Sequence, residues 1–327
     1  MIEKRRVLIL AAAGILFVPL VPKAQLAGKV PRIGVTLAPS APSPYAGALR
    51  RGLAELGWVE GKNILIDYRY AEGRSDRYPA FMAELVALKV NVIVAGGGVV
   101  AVRAAKQATS TIPIVMPAII DPVATGLVAS LPRPGGNVTG QSMLDIDITT
   151  KRIEFLKTML PKLERVAVLN DPSQGGVPVQ ADAMKAAARS LGLRLQFVSV
   201  SRIEELEGAF DAARAARTEA LIVLASGFFT ANRQRLVNLA ARNRLAAVFE
   251  HGDFADAGGL LSYGVNLEQM WHSTAKYVDK ILKGAKPSDL PVQQPTVFEL
   301  VINLRTAKML QVTIPQTLLL RADRIIE

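Results

Sequence analysis

The residues best suited to chemistry stand directly behind short apolar runs, in loops that mix glycine with polar side chains. Three such loops occur in each half of the chain: residues 36–40, 96–99, 118–121, 170–174, 226–228 and 250–253. If the apolar runs are parallel strands, these loops meet at the carboxyl edges of the sheets, where ligands bind. Helix N-termini at such an edge offer unpaired N–H groups to an anion. The pattern predicts capture of a small solute that carries a carboxylate.

We predict a set of ligand contacts from these loops and their surroundings. The set is Thr36, Ser40, Tyr45, Gly97, Gly98, Val99, Ala118, Asp121, Gln141, Asn170, Ser226, Glu250, His251 and Tyr263. Asp121 or Glu250 would accept hydrogen bonds from an ammonium group. Tyr45 or Tyr263 would cover an apolar or aromatic part of the ligand. Each position would also suit a turn or core residue that makes no ligand contact.

The residue inventory argues against catalysis and against resident metals or cofactors. The chain has no Cys and only two His, His251 and His272, without metal-ligand spacing. A Ser-His-Asp triad would have to use His251 with Asp253, and no Gly-x-Ser-x-Gly motif supplies its nucleophile. The triple glycine 96–98 lacks the Gly-Lys-Ser/Thr of a phosphate loop. We therefore predict no enzyme, no metal site and no cofactor.

Charge and hydropathy at the N-terminus indicate export. Residues 4–6 are basic, and the apolar run Val7–Val21 is shorter than a membrane span. We predict a signal peptide over residues 1–27 and a periplasmic location, with an uncleaved membrane anchor as the alternative. The formal net charge is +11. Basic residues alternate with acidic ones and form no aromatic-basic cluster, so we predict no nucleic-acid partner.

The elements behind the loops repeat. In the first half we predict strands at 31–37, 63–70, 91–95 and 113–118, with helices at 45–56, 76–88, 99–109 and a fourth before Pro132. In the second half we predict strands at 164–169, 193–200, 219–225, 246–250 and 260–264, with helices at 147–160, 177–191, 203–216 and 229–243. Strand–helix alternation is typical of a parallel sheet covered by helices on both faces. The prediction is α/β, with two Rossmann-like lobes joined by a hinge.

The chain is predicted to cross between the two lobes more than once. Residues 137–145 read as a crossing segment, and the amphipathic helix at 266–283 is expected to return to the first lobe. A further strand is predicted at 297–302. We assign residues 28–140 plus about 266–300 to the first lobe. Residues 141–265 plus about 301–327 form the second lobe.

The mature chain resembles the periplasmic substrate-binding proteins of ABC transporters, in the branch that includes tryptophan/tyrosine-type proteins. The segments that carry the resemblance are Pro31–Val35, Leu56–Ile64, Asp67–Gly73, Ala104–Ile114, Asp121–Val123, Thr125–Ser130, Arg133–Gly140, Ala257–Gly264, Ile302–Lys308 and Ile314–Pro315. One position departs from the pattern. Val99 and Val100 follow the glycines where many members have a Thr-Pro pair, which removes a hydroxyl from the loop.

This resemblance implies a monomeric periplasmic binding protein of type 1 fold, which takes a small organic solute such as an amino acid and presents it to the membrane permease of an ABC importer. Two alternatives remain open. The same module could sense a solute for a membrane receptor, or it could bind a sugar-like ligand. A periplasmic enzyme on this fold is a more distant alternative.

Overall fold

Two mainly parallel sheets organise the chain in the computed structural model, which describes residues 30–143, 146–175 and 177–327. The chain divides into two units, Met1–Val30 and Pro31–Glu327, and only Val30 of the first is described. The predicted signal peptide therefore lies outside the described residues. Within the described residues, none of the helices is both long and apolar enough to span a bilayer.

The first sheet has five parallel strands in the order β2-β1-β3-β4-β5. They are β1 (Arg32–Leu37), β2 (Leu65–Tyr70), β3 (Val92–Ala95), β4 (Ile114–Ile119) and β5 (Val138–Ser142). Its helices are α1 (Pro44–Glu55), α2 (Tyr78–Ala87) and α3 (Val99–Ala108). β3 is buried along its whole length, because helices cover both faces of the sheet.

The second sheet has seven strands in the order β12-β11-β10-β9-β8-β6-β7. They are β6 (Arg165–Asn170), β7 (Arg194–Ser199), β8 (Ala220–Val223), β9 (Ala246–Phe249), β10 (Leu261–Gly264), β11 (Glu299–Asn303) and β12 (Arg324–Ile326). Only the β10–β11 pair is antiparallel. The helices of this lobe are α4 (Ile146–Met159), α5 (Val177–Ser190), α6 (Glu205–Ala215), α7 (Gly227–Ala231), α8 (Arg233–Arg242), α9 (Asp253–Asp256), α11 (Leu304–Leu310) and α12 (Gln316–Leu319). Short 3-10 turns lie at Ser75–Arg77, Pro172–Gln174 and Pro287–Asp289.

Helix α10 (Leu267–Leu282) lies on the first sheet although it follows β10 of the second. Its residues Trp271, Ala275 and Val278 share one buried cluster with Leu49 and Leu53 of α1. The chain therefore passes between the sheets three times: after β5, between β10 and α10, and before β11. The first and third passages run side by side, since Ser142 N–H donates to Gln293 O (2.8 Å).

The predicted α/β class with parallel sheets is confirmed, and three local predictions are wrong. The helix predicted before Pro132 is a series of turns, in which the Asp121 carboxylate accepts from Ala124 N–H (2.9 Å). Residues 138–142 form an edge strand of the first sheet, so this sheet extends past the predicted limit at residue 140. The helix predicted over 229–243 is interrupted at Asn232, where α7 ends and α8 begins.

Candidate functional site

A cavity of about 580 Å3, part of it open to solvent, lies where the carboxyl ends of both sheets face each other. We call it the aromatic chamber. Its described lining is Ala38, Pro39, Tyr45, Gly97, Gly98, Pro117, Ala118, Ile120, Met143, Gln174, Ala225, Ser226, Gly227, Thr230, His251, Leu267 and Trp271. No Asp, Glu, Lys or Arg occurs among these described lining residues. The chamber suits the apolar part of a small molecule.

Two stacked aromatic rings form the wall that comes from the first lobe. The rings of Tyr45 and Trp271 lie 5.9 Å apart between centroids, at 14° to each other. Tyr45 stands in the first turn of α1, directly after Pro44, and Trp271 lies on the buried face of α10. The Trp271 ring packs against Gly96, where a Cβ would run into the indole. The first lobe thus contributes two aromatic rings to the lining of the chamber.

The loop between β3 and α3 consists of glycines and lies next to these two rings. Gly97 and Gly98 have φ of 129° and 85°, values that side-chain-bearing residues rarely adopt. Gly97 also lies against the ring of Tyr78, so it has no room for a Cβ. Its carbonyl faces Gly227 of the second lobe, where a Cβ would stand 2.8 Å from that oxygen. The two lobes approach to backbone contact here.

Polar side chains form the wall that comes from the second lobe. The buried Asp171 carboxylate accepts hydrogen bonds from Ser226 Oγ (2.6 Å) and Gln174 Nε2 (3.1 Å). Gln174 Oε1 in turn accepts from the Val99 N–H of the first lobe (3.1 Å). On the opposite side of the chamber the Tyr45 hydroxyl donates to the Asp253 carboxylate. These bonds join the lobes, so the structure shows a closed arrangement.

His251 is buried beside this wall in the neutral state. Burial lowers the pKa of its imidazole, and the Asp253 carboxylate only partly opposes that shift. The Thr230 hydroxyl donates to Ser226 O (2.9 Å), so it accepts from His251 Nε2–H (3.2 Å). Nδ1 then carries no proton and can only accept a hydrogen bond. It has no hydrogen-bond partner among the described residues and lies 3.9 Å from Asp253 Oδ2.

A second, narrower cavity adjoins the first, about 290 Å3 with its opening to solvent included, and we call it the charged chamber. Its described lining is Ile120, Met143, Ile148, Thr149, Arg152, Gln180, Glu250, Gly264, Val265 and Phe298. Arg152 Nη1 donates to Glu250 Oε1 (3.0 Å), and its Nε donates to Tyr263 O (2.7 Å). The two charged side chains are only 6% and 4% exposed. Burial raises the pKa of the Glu250 carboxyl, and the Arg152 charge opposes that shift.

The structure brings half of the sequence-predicted contacts to the two chambers. Tyr45, Gly97, Gly98, Ala118, Ser226 and His251 line the aromatic chamber, and Glu250 lines the charged chamber. Their contact with a ligand remains a prediction.

The other seven predicted contacts are not among the described lining residues of either chamber. Thr36, Val99, Gln141 and Asn170 are buried in the scaffold; Thr36 Oγ1 donates to Gly96 O (2.9 Å) and Gln141 Nε2 to Met270 O (2.8 Å). Ser40 is exposed. Asp121 closes a turn, and Tyr263 packs edge-on against Phe155.

Eleven lining residues of the aromatic chamber are absent from the predicted contact set, among them Trp271, Gln174, Thr230 and Met143. Gln174 lies in the predicted loop 170–174, and Trp271 had a usable signal in the sequence. It lies one residue after Met270 and four before Ala275, two positions on the apolar face of the helix. Among the described residues, no group of three or more His, Cys, Asp or Glu side chains could hold a metal ion.

Comparison with known proteins identifies the family. The sequence profile of the ABC transporter substrate binding protein family matches residues 33–326. The chain belongs to this family. It is 28% identical over 261 residues to a tyrosine-binding protein of Clostridioides difficile (strain R20291), covering 80% of this chain and 74% of that relative. Membership confirms the resemblance seen in the sequence, and it is consistent with capture of a solute in a cleft between the lobes.

Two solved structures are similar to this chain over most of its length. An ABC domain in complex with L-Trp from Streptococcus pneumonia matches with a TM-score of 0.83 at 27% identity, covering 91% of this chain and all of that one. The ligand-free, open structure of a substrate-binding protein with adhesive properties from Clostridium difficile matches with a TM-score of 0.63 at 25% identity, covering 91% and 99%. Identity and coverage are nearly equal. The fold of this chain is therefore more similar to the L-Trp complex than to the ligand-free, open structure.

Proposed function

We propose that this protein captures an aromatic amino acid between its lobes and delivers it to the membrane permease of an ABC importer. The observation that carries the proposal is the stacked Tyr45–Trp271 pair on the wall of the aromatic chamber. Aromatic rings prefer offset-stacked or edge-to-face neighbours, and such pairs contribute about 0.5–1.5 kcal/mol beyond simple burial. The tyrosine and tryptophan relatives point to the same ligand class.

Closure follows from contacts to both lobes. A ligand shifts the equilibrium between open and closed forms only through its different affinity for the two. A ring against Tyr45 and Trp271 contacts the first lobe, and hydrogen bonds to Ser226 or Thr230 contact the second. The bonds of Tyr45 to Asp253 and of Val99 to Gln174 then form only when the lobes meet.

The proposal places the protein in the periplasm as a monomer without catalytic activity. It is supported by the basic residues 4–6, the following apolar run and the family membership. N-terminal sequencing of periplasmic protein tests the location: cleavage between about Pro22 and Lys29 is expected. Recovery of Met1 in the periplasmic fraction would contradict it. Recovery of the added solute unchanged after incubation tests the absence of turnover.

The two tryptophans of the chain allow a direct test of the ligand class. In the Trp58→Phe variant the remaining tryptophan, Trp271, lines the chamber. In the matched Trp271→Phe variant the remaining Trp58 donates to Asp279 (2.9 Å) away from both chambers. We expect L-Tyr or L-Phe to change the emission of the Trp58→Phe protein and to leave that of the Trp271→Phe protein unchanged. L-Trp is titrated by calorimetry, because its own fluorescence interferes.

A panel of competing solutes completes the test. Calorimetry with wild-type protein compares L-Trp, L-Tyr and L-Phe with L-Leu and with a neutral sugar. The aromatic amino acids are expected to bind most tightly. Preference for the sugar, or for L-Leu over all three aromatic amino acids, would overturn the proposal and leave only membership of the solute-binding family.

A further inference from the structure

We propose that the charged chamber receives the α-ammonium and α-carboxylate groups of the ligand while its aromatic ring lies in the aromatic chamber. This inference rests on the proposed function and adds to it which side chains recognise the common part of every amino acid. It gives the buried Arg152–Glu250 pair a role in binding, where the pair alone would be a structural ion pair.

The two chambers are neighbours with a shared wall. Ile120 and Met143 line both of them. The consecutive residues Glu250 and His251 divide between them, with Glu250 at the charged chamber and His251 at the aromatic one. A molecule with an apolar end and a charged end can therefore be held by adjacent cavities of matching character.

The distribution of charge indicates which chamber receives the charged end of the ligand and which receives its ring. The described lining of the aromatic chamber carries no carboxylate, ammonium or guanidinium group. A zwitterion enclosed there would leave both of its charges without charged partners, which is costly. The charged chamber offers one guanidinium and one carboxylate, the complement of an amino-acid head group.

Gln180 of α5 also lines the charged chamber and is only 4% exposed. Its amide N–H groups can donate to a carboxylate that enters this chamber. Gly264 also lines this chamber, and a Cβ there would stand 1.9 Å from the carbonyl oxygen of Glu250, so only glycine fits at this position.

The alternative position for the carboxylate is the N-terminus of α3, which the sequence favoured. There the Val99 N–H already donates to Gln174 of the other lobe, so an anion would have to displace that interlobe bond. In the charged chamber the carboxylate accepts from the Gln180 amide and the Arg152 guanidinium. The ammonium group donates to Glu250.

Ligand analogues that lack one charge each test these assignments. Tryptamine lacks the carboxylate of L-Trp, and indole-3-propionate lacks the ammonium group. Calorimetry on the full protein compares the three probes with wild type, Gln180→Leu and Glu250→Gln. Gln180→Leu should weaken L-Trp and indole-3-propionate roughly tenfold and leave tryptamine unchanged. Glu250→Gln should weaken L-Trp and tryptamine by roughly tenfold or more and change indole-3-propionate least.

Gln174→Leu is the matched control. It removes a glutamine of the same size from the aromatic chamber, so it should weaken all three probes by a similar factor. Losses from Gln180→Leu that do not depend on the carboxylate, or no loss at all, would overturn the inference while L-Trp still binds wild type. Failure of wild type to bind any aromatic amino acid would instead overturn the proposed function. If Glu250→Gln does not fold, Gln180→Leu alone decides, since replacing the uncharged Gln180 leaves no buried charge behind.

Discussion

The two lobes share a strand order but contribute opposite chemistry to the cleft. In the first lobe the order β2-β1-β3-β4-β5 matches β7-β6-β8-β9-β10 in the second. The first lobe brings glycine, alanine, proline and two stacked rings to the aromatic chamber, whereas the second brings Gln174, Ser226, Thr230 and His251. The buried pair of Arg152 and Glu250 also belongs to the second lobe. One lobe supplies shape and the other supplies polar and charged groups.

This division predicts that equivalent loops of the two lobes differ in their tolerance to substitution. Apolar walls are sensitive to volume, because a protein interior has no spare space. Polar walls are sensitive to the loss of single partners, because a buried group without a hydrogen bond is costly. Variants in the two lobes should therefore fail in different ways, and four of them test the comparison.

The largest effect is expected from Arg152→Ala in the second lobe. It leaves the Glu250 carboxylate buried without its charged partner, so the free energy of unfolding should fall by about 3–5 kcal/mol. Urea unfolding followed by circular dichroism measures the loss. The control is Arg194→Ala, whose pair with Glu164 has side chains 74% and 60% exposed and should change stability little. Equal losses in both variants would contradict a special role for the buried pair.

Gly97→Val is the corresponding test of the first lobe. The positive φ and the contact with Tyr78 should together cost about 2–3 kcal/mol of stability, and ligand binding should be lost with the shape of the wall. Gly57→Ala separates the two causes, since Gly57 has a φ of 89° but nothing within 4 Å of its Cβ position. A Gly97→Val protein no less stable than Gly57→Ala would show that shape at this wall is adaptable.

Tyr45→Phe tests the hydrogen bond between Tyr45 of the first lobe and Asp253 of the second. It keeps the ring of the first lobe and removes the hydroxyl that donates to Asp253 of the second. Ligand affinity should fall roughly tenfold, because the closed form loses a hydrogen bond to a charged group. Calorimetry gives the affinity and solution scattering gives the radius of gyration with ligand. Tyr277→Phe is the control, because its hydroxyl donates to Pro291 O within the first lobe (2.9 Å).

The smallest expected effect concerns the pH dependence of the protein's stability, through His251 of the second lobe. The pKa of His251 is lowered from its ordinary 6.5, so the unfolded chain takes up the proton first as the pH falls. The stability due to neutral His251 is complete above about pH 6.5 and declines below it, by at most about 1.4 kcal/mol per pH unit. His251→Gln should flatten the decline between pH 6.5 and 5. Parallel pH curves for the wild-type and His251→Gln proteins would contradict this role.

Much of the scaffold could be predicted from the sequence because its strands are buried on both faces. Such strands appear as uninterrupted apolar runs, as in Val92–Ala95 and Ala220–Val223. The segment after Asp121 misled the same reasoning. Its spacing suits a helix, but Asp121 closes a turn with its own side chain and Gly126 has a φ of 70°. Local side-chain bonds overrode the helical pattern there.

The site was harder to predict because its parts are distant in sequence. Tyr45 meets Trp271 only because α10 returns to the first lobe, and Arg152 meets Glu250 only across the second. The strand-end rule identified the loops of the aromatic chamber correctly, since Gly97, Ala118, Ser226 and His251 line it. It could not indicate that Val99 would already be bonded to Gln174, because that contact depends on how the lobes meet.

The return of α10 also sets the order in which the protein can fold. The five strands of the first sheet are complete at Ser142, but the helix that seals its core ends at Leu282. The second sheet likewise waits for β12 at Arg324–Ile326. Domains usually fold as units from the N-terminus during synthesis. Here the first lobe remains unsealed on the ribosome until α10 has emerged, so Tyr45 and Trp271 can stack only after more than a hundred residues of the second lobe have been made.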